Sequence, residues 1–156
     1  MVIVTGSLGL IGCEVVKYFC ERGVEVVGLD NNERKEFFGV NGCNASKIDL
    51  LKVSCGKSYT HYTTDISNPE HIEETVRAIK NRLSTKVTCI IHTAGQPSHD
   101  YASNHATRDY NVNVYGTHLL LEMFKTYFSD AMFIHFSTNK VYGDSPNRLE
   151  YRLSEN

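Results

Sequence analysis

A chain of 156 residues, 41% of them hydrophobic, is long enough to bury the core of one domain, or of part of one. A formal net charge of −2 and an isoelectric point near 6.4 give no electrostatic basis for binding nucleic acid or an anionic membrane. Five cysteines (Cys13, Cys20, Cys43, Cys55, Cys89) without C-x-x-C spacing, and seven histidines without H-x-x-x-H spacing, indicate neither a disulfide framework nor a metal centre. The first apolar run is too short for a signal peptide or a membrane span, so a cytoplasmic protein is expected.

The chain opens with Val2-Ile3-Val4-Thr5, four β-favouring residues, and runs directly into Gly6, Gly9 and Gly12 at every third position. An amphipathic stretch follows, predicting a helix from Leu10 to Arg22 that buries Ile11, Val15, Val16 and Phe19 and stops at Gly23. Strand, glycine turn and helix are the parts a dinucleotide pyrophosphate requires. Glycines let the backbone approach the phosphates, and the helix N-terminus attracts the anion. Gly12 reads as a packing residue that lets the helix lie close on the strand. A P-loop is not indicated, because Gly12 is not followed by Lys and Ser/Thr.

A second strand, Val24 to Leu29, ends in Asp30, at the distance where an acidic residue meets the adenosine ribose. A carboxylate there repels a 2′-phosphate and favours NAD, while Arg34 and Lys35 leave NADP open. Residues 31–58 read as a long surface connection that either closes over the adenosine end or does not. Within it only Lys47 to Val53 looks helical, after a cap at Ser46.

A third strand is expected at Tyr59 to Thr63, followed by Asp65-Ile66. Asp65 is either a turn residue or a partner for the adenine amino group, with Ile66 packing on the ring. Ser67-Asn68-Pro69-Glu70 starts a helix whose buried face is Ile72, Val76, Ile79 and Leu83. The almost continuously apolar Val87 to His92 reads as an inner strand covered on both faces. It empties into Thr93, Ala94, Gly95, Gln96, Pro97, Ser98 and His99, small and turn-forming residues at a strand's carboxyl end. A long helix from His105 to Phe128 then contains Asn113 and Gly116, both poor helix formers. Gly116 permits close packing; Asn113 is either exposed and uninformative or bonded to backbone near the cofactor. The fifth strand, Met132 to Phe136, ends in Ser137 and Thr138, two hydroxyls placed to touch a substrate.

Four motifs carry a resemblance over nearly the whole length: T-G-S-L-G-L-I-G, Asp65-Ile66, N-V-Y-G-T-H-L-L-L-E from Asn113, and F-S-T-N-K-V-Y-G from Phe136. The chain resembles the N-terminal half of an extended short-chain dehydrogenase/reductase, the family of NAD-dependent nucleotide-sugar epimerases and dehydratases. The last motif, with Gln96 to Asp100, most resembles the CDP-paratose 2-epimerase (CDP-tyvelose epimerase) group.

The resemblance implies an α/β fold: a Rossmann-type doubly wound parallel sheet of order 3-2-1-4-5 over residues 1–156, incomplete, without the remaining strands and the substrate domain. It implies that Gly6, Gly9, Leu10, Ile11 and Gly12 form the pyrophosphate turn. Asp30 and Asn31 hold the ribose, Asp65 and Ile66 the adenine, and Thr93, Ala94, Gly95, Gln96, Asn113 and Ser137 the nicotinamide side. Thr138 is the implied catalytic hydroxyl, with Ser98 and His99 near a nucleotide-sugar substrate, CDP-linked in the CDP-paratose 2-epimerase group.

Family chemistry also needs a Tyr-x-x-x-Lys pair, and none of the nine tyrosines has lysine four positions on. The 156-residue polypeptide is therefore expected to be an inactive fragment of an enzyme that is a homodimer at full length. As a fragment it would expose Phe133 or Phe136 at a sheet edge, with part of the Leu119–Phe124 stripe, and be marginally soluble. A dehydratase and a non-catalytic dinucleotide-binding module are the alternatives. Dehydratases of the family usually carry acidic residues after the threonine, whereas Asn139-Lys140 stand here.

Overall fold

The structure is a computed structural model that describes residues 1–82, 85–138, 143 and 145–150. Five strands, β1 (Val2–Thr5), β2 (Val26–Leu29), β3 (Tyr59–Tyr62), β4 (Cys89–His92) and β5 (Met132–His135), form one sheet of order β3-β2-β1-β4-β5. Every pairing is parallel. Thr5 is paired with Leu29 and His92, Leu29 with Tyr62, and His92 with His135, so all five strands end on one level. The loops that follow them share a single edge of the sheet.

Alternation along the strands divides the core in two. Ile3, Val27, Leu29 and Ile90 face a cluster built on α4 (Pro69–Arg82) and α7 (Gly116–Tyr127), with Ile72, Val76, Ile79, Leu120 and Phe124 buried in it. Val2, Val4, Val26 and Ile91 face the other way, onto α1 (Leu10–Cys20) and α3 (Ser46–Cys55) through Cys13, Val16 and Leu51. Strands buried on both faces need apolar residues at consecutive positions, which is why β1, β2 and β4 read as unbroken apolar runs.

The segment after β2 departs from the expected plain connection. It contains α2 (Arg34–Phe38), a 3₁₀ turn (Gly39–Gly42), α3 and a second 3₁₀ turn (Gly56–Ser58). Ser46 is the first residue of α3 rather than its cap; Ala45 holds that position without a side-chain bond. Asn68, in contrast, caps α4 as expected: its Oδ1 accepts from the N–H groups of Glu70 and His71. Leu83 lies outside the described residues.

The helix expected over 105–128 runs without a break from 106 to 127 as α6 (Ala106–Tyr110), a π turn (Asn111–Tyr115) and α7, preceded by α5 (His99–Asn104). Gly116 sits against Ile66, where an added Cβ would come within 3.0 Å of the Ile66 carbonyl oxygen. At the β5 edge the expected exposure is redistributed. Phe133 packs against the α4–α7 core, with Leu120 and Phe124 buried beside it, whereas Met132, Ile134 and Phe136 are exposed on the opposite face. Period-two alternation accounts for the difference. Among the described residues no helix is long and apolar enough to cross a membrane.

Leu120 is fully buried and its neighbour Leu121 is exposed, so this pair tests which face of α7 carries the core. Leu120→Ala is expected to lower unfolding free energy by about 2–5 kcal/mol, and Leu121→Ala by less than about 1 kcal/mol. Urea denaturation of the two variants measures both.

Candidate functional site

Beyond Thr5 the chain turns at Gly6, whose φ of +67° lies in the region that side chains disfavour. The Gly6 N–H donates to the Leu29 carbonyl at 2.8 Å, and the Gly9 N–H to the Gly6 carbonyl at 2.9 Å. A Cβ on Gly6 would stand 2.7 Å from the Ala94 nitrogen; one on Gly12 would overlap the Gly6 carbonyl and lie 2.9 Å from Thr93 Oγ1. Both positions are thus fixed by the chain's own packing, as the reading of Gly12 anticipated. Gly9 caps α1 with no side-chain bond to its first turn, leaving the positive end of that helix open to an anion. Leu10 is 83% and Ile11 48% exposed. Ile11 was expected in the core; it lies instead at the rim of a cavity that begins at this turn.

Asp30, at the end of β2, accepts from the Leu8 N–H at 3.0 Å and the Asn32 N–H at 2.7 Å. Its carboxylate is therefore held rigidly beside the glycine turn. Asn31 Oδ1 accepts from the Glu33 N–H at 3.0 Å, and Lys47 Nζ donates to the Leu8 carbonyl at 2.9 Å, tying α3 to the same turn. Ile66 lines the cavity and is buried. Asp65 does not line it: its Oδ1 accepts from the Ser67 N–H at 2.8 Å and the Ser67 hydroxyl at 2.7 Å, the turn role of its two readings.

Across the cavity, the Thr93 hydroxyl donates to the Thr5 carbonyl at 2.7 Å, and Ala94 abuts Gly6. Asn113 Oδ1 accepts from the Gln96 N–H at 2.9 Å, and its Nδ2 donates to Asp109 Oδ1 at 2.9 Å. The residue that breaks the helical pattern thus holds the loop after β4, at a π turn of the kind that recurs at functional sites. Gln96 closes on Ser98 through both ends of its amide, and Ser98 Oγ caps α5 by accepting from the Tyr101 N–H at 3.2 Å.

One cavity of about 670 Å³ is lined by Gly6, Gly9, Leu10, Ile11, Gly12, Asp30, Asn31, Ile66, Thr93, Ala94, Gly95, Gln96, Ser98, Asn113, Ser137 and Thr138. His99 belongs to α5, but its side chain, like the whole of Asn139, Lys140 and Tyr142, lies outside the described residues.

A polar chain running from the exposed Asn113 to the buried His92 and Thr5 escaped the sequence reading. Thr117 Oγ1 donates to the Asn113 carbonyl at 2.7 Å, so it accepts from His92 Nε2 at 2.9 Å. The other ring nitrogen, Nδ1, then accepts from the Thr5 hydroxyl at 2.6 Å, and Thr5 Oγ1 accepts from the Ala94 N–H at 3.3 Å. Because the first acceptor is a carbonyl, every proton in the chain points one way and His92 is the neutral Nε2–H tautomer. The available signal was a histidine closing an apolar strand, where a buried ring must find partners.

Burial, and then the nearby His135, push the His92 imidazole down to about 4 from its ordinary 6.5. The unfolded chain therefore binds one proton more between these values, so stability rises with pH across them. This contribution is complete above pH 6.5 and falls by about 3 kcal/mol as pH drops to 4. In His92→Gln the acid slope of the denaturation midpoint across that window should flatten. An unchanged slope would show that His92 does not govern it.

The sequence matches the family described as GDP-mannose 4,6 dehydratase over residues 3–155. It is 28% identical over 147 residues to CDP-paratose 2-epimerase of Salmonella typhi, spanning 91% of this chain and 38% of that one. It is 26% identical over 158 residues to a probable dTDP-glucose 4,6-dehydratase of Sinorhizobium fredii, spanning 96% and 41%. The UDP-glucose 4-epimerase of Bifidobacterium longum, crystallised with NAD+ and UDP, superposes with a TM-score of 0.72 at 22% identity, over 91% of this chain and 38% of that one. At that identity the likeness speaks for the fold alone. The chain spans about two-fifths of the length of the curated relatives it matches. With the match running from β1 past the end of β5, the chain belongs to the GDP-mannose 4,6 dehydratase family.

Proposed function

We propose that this chain is the NAD-binding part of a nucleotide-sugar epimerase most like the CDP-paratose 2-epimerases, residues 1–156 forming an incomplete Rossmann domain. The observation that carries the reading is that one cavity gathers the glycine turn, Asp30, the small-residue loop after β4 and the Ser137–Thr138 pair on one sheet edge.

The residues present fit a dinucleotide. Gly9 sets no side chain over the uncapped start of α1, which suits a pyrophosphate. The fixed carboxylate of Asp30 is an acceptor for ribose hydroxyls, with Asn31 beside it. Ile66, which lines the cavity, would pack on the adenine, and Asn113 keeps Thr93, Ala94, Gly95 and Gln96 in place on the nicotinamide side. Glu33 adds a second carboxylate at the adenosine rim, while the Arg34 guanidinium lies over the Phe38 ring at 4.4 Å. Glu33 is neutralised by Arg108, so the preference for NAD over NADP rests on Asp30.

Bound NAD supplies a reversible hydride acceptor. The Thr138 hydroxyl would hydrogen-bond the sugar oxygen undergoing redox, Ser137 would lie beside the cofactor, and Ser98 and His99 would face the nucleotide sugar. Without a Tyr-x-x-x-Lys pair the 156-residue polypeptide lacks the base of the family chemistry, so it binds cofactor without turning over. A dehydratase is the second reading, favoured by the family description and the Sinorhizobium relative; Asn139-Lys140 after Thr138 argue for the epimerase. A cytoplasmic homodimer belongs to the same proposal, with Tyr110, Val114 and Leu121 exposed along α6–α7.

Titration of NADH fluorescence with the purified chain tests the reading. NADH is expected to bind at least ~10-fold more tightly than NADPH, a gap of about 1.4 kcal/mol, and Asp30→Asn should narrow it. Binding of neither nucleotide, or a preference for NADPH, would sink the proposal.

A further inference from the structure

We infer that Arg108 and Tyr101 are positioning residues that clasp α2 across the adenosine end of the cavity, so that a bound dinucleotide leaves only when this clasp opens. The inference rests on the dinucleotide reading proposed above.

The two sides of the cavity come from different parts of the chain. α2 follows β2, whereas α5 and α6 follow the loop after β4. Between them, Arg108 Nε donates to Glu33 Oε1 at 2.7 Å, and Nη2 donates to the same oxygen. The guanidinium also reaches the loop after β3, with Nη1 3.4 Å from Ser67 Oγ and Nη2 3.8 Å from Asp65 Oδ2. One planar group thus gathers the loops after β2 and β3 onto α6, a task suited to arginine's fixed fork of donors.

A second contact lies alongside. Phe37 of α2 meets the Tyr101 ring edge-on, with centroids 4.6 Å apart, and Tyr101 stacks flat on His105 at 3.9 Å. The bridge crosses the cavity mouth rather than a remote surface, because Glu33, Arg34, Ala102 and Asp109 all line the cavity.

What α2 lacks makes the bridge matter. It has five residues and none of them is buried, and a helix of that length does not hold itself together in water. The Glu33 side chain is only 12% exposed and that of Arg108 32%, so their attraction is screened less than that of a surface pair. Releasing these two contacts frees α2 from the far side of the cavity while leaving both core clusters intact.

The experiment has two readouts on the intact chain. Stopped-flow release of NADH, chased with excess NAD+, is measured for the wild type, Arg108→Met, Phe37→Ala and the double variant. Tryptic cleavage after Arg34 and Lys35 is followed in the same proteins without nucleotide. Each single variant is expected to release NADH about 10-fold faster, with association unchanged or faster, and α2 to be cut several-fold faster. Arg108→Lys, which can still pair with Glu33, should recover part of both effects. Release unchanged within about twofold, or slower association with unchanged release, overturns the inference alone. A wild-type chain that binds no NADH overturns the dinucleotide reading and this inference with it.

Discussion

The close approach of two backbones at the carboxyl edge of the sheet governs the rest of the site. Gly6 lies so near the Thr93–Ala94 peptide that a Cβ there would stand 2.7 Å from the Ala94 nitrogen. Strands β1 and β4 are neighbours, yet the helices that follow them pack on opposite faces, α1 against one core cluster and α7 against the other. Chains diverging from adjacent strands leave a crevice between them, the place where open α/β sheets bind ligands. Its floor is narrow because the glycines permit contact. Its walls are set by where Asp30 and Asn113 hold the loops on either side.

Those walls are held by different physics. On the β4 side, the run from Asn113 through Thr117, His92 and Thr5 to Ala94 is directional and buried at its centre, with Thr5 fully buried and His92 only 1% exposed. A half-satisfied network of this kind would cost more than an apolar core, whereas a satisfied one specifies a single arrangement. On the β2 side, Asp30 is held by two backbone N–H groups, and α2 is docked through partly exposed side chains.

How much of this was legible in the sequence follows from how local each signal is. The positions of the strands, the glycine turn and Asp30 depend on short-range patterns: apolar runs, glycine spacing, a strand ending in an acid; the order of the strands in the sheet came with the family resemblance. Ile11 was misread because periodicity marks the apolar stripe of a helix without saying where the sheet stops covering it. The 31–58 segment was illegible because α2 has no buried residue and α3 only Leu51, so no amphipathic period is written there. Arg108 gave no sign at all. Its partners Glu33 and Ser67 lie 75 and 41 positions away, a pairing that only the folded topology creates. Asn113 shows the intermediate case: its poor fit to a helix was visible, but the π turn and the bond to Gln96 that explain it were not.

The asymmetry of the two walls bears on how a ligand would enter. An opening on the β4 side would have to break the Thr5–His92–Thr117 run inside the protein, and the neutral imidazole there has no charged form at neutral pH to draw it into water. An opening on the β2 side breaks one shielded ion pair and an aromatic contact, and displaces a helix that carries no core residue. Regions that open at low cost are those with few buried apolar contacts. Entry and exit through the adenosine end are therefore the less costly route. The end proposed for redox chemistry would remain fixed while the other end moves.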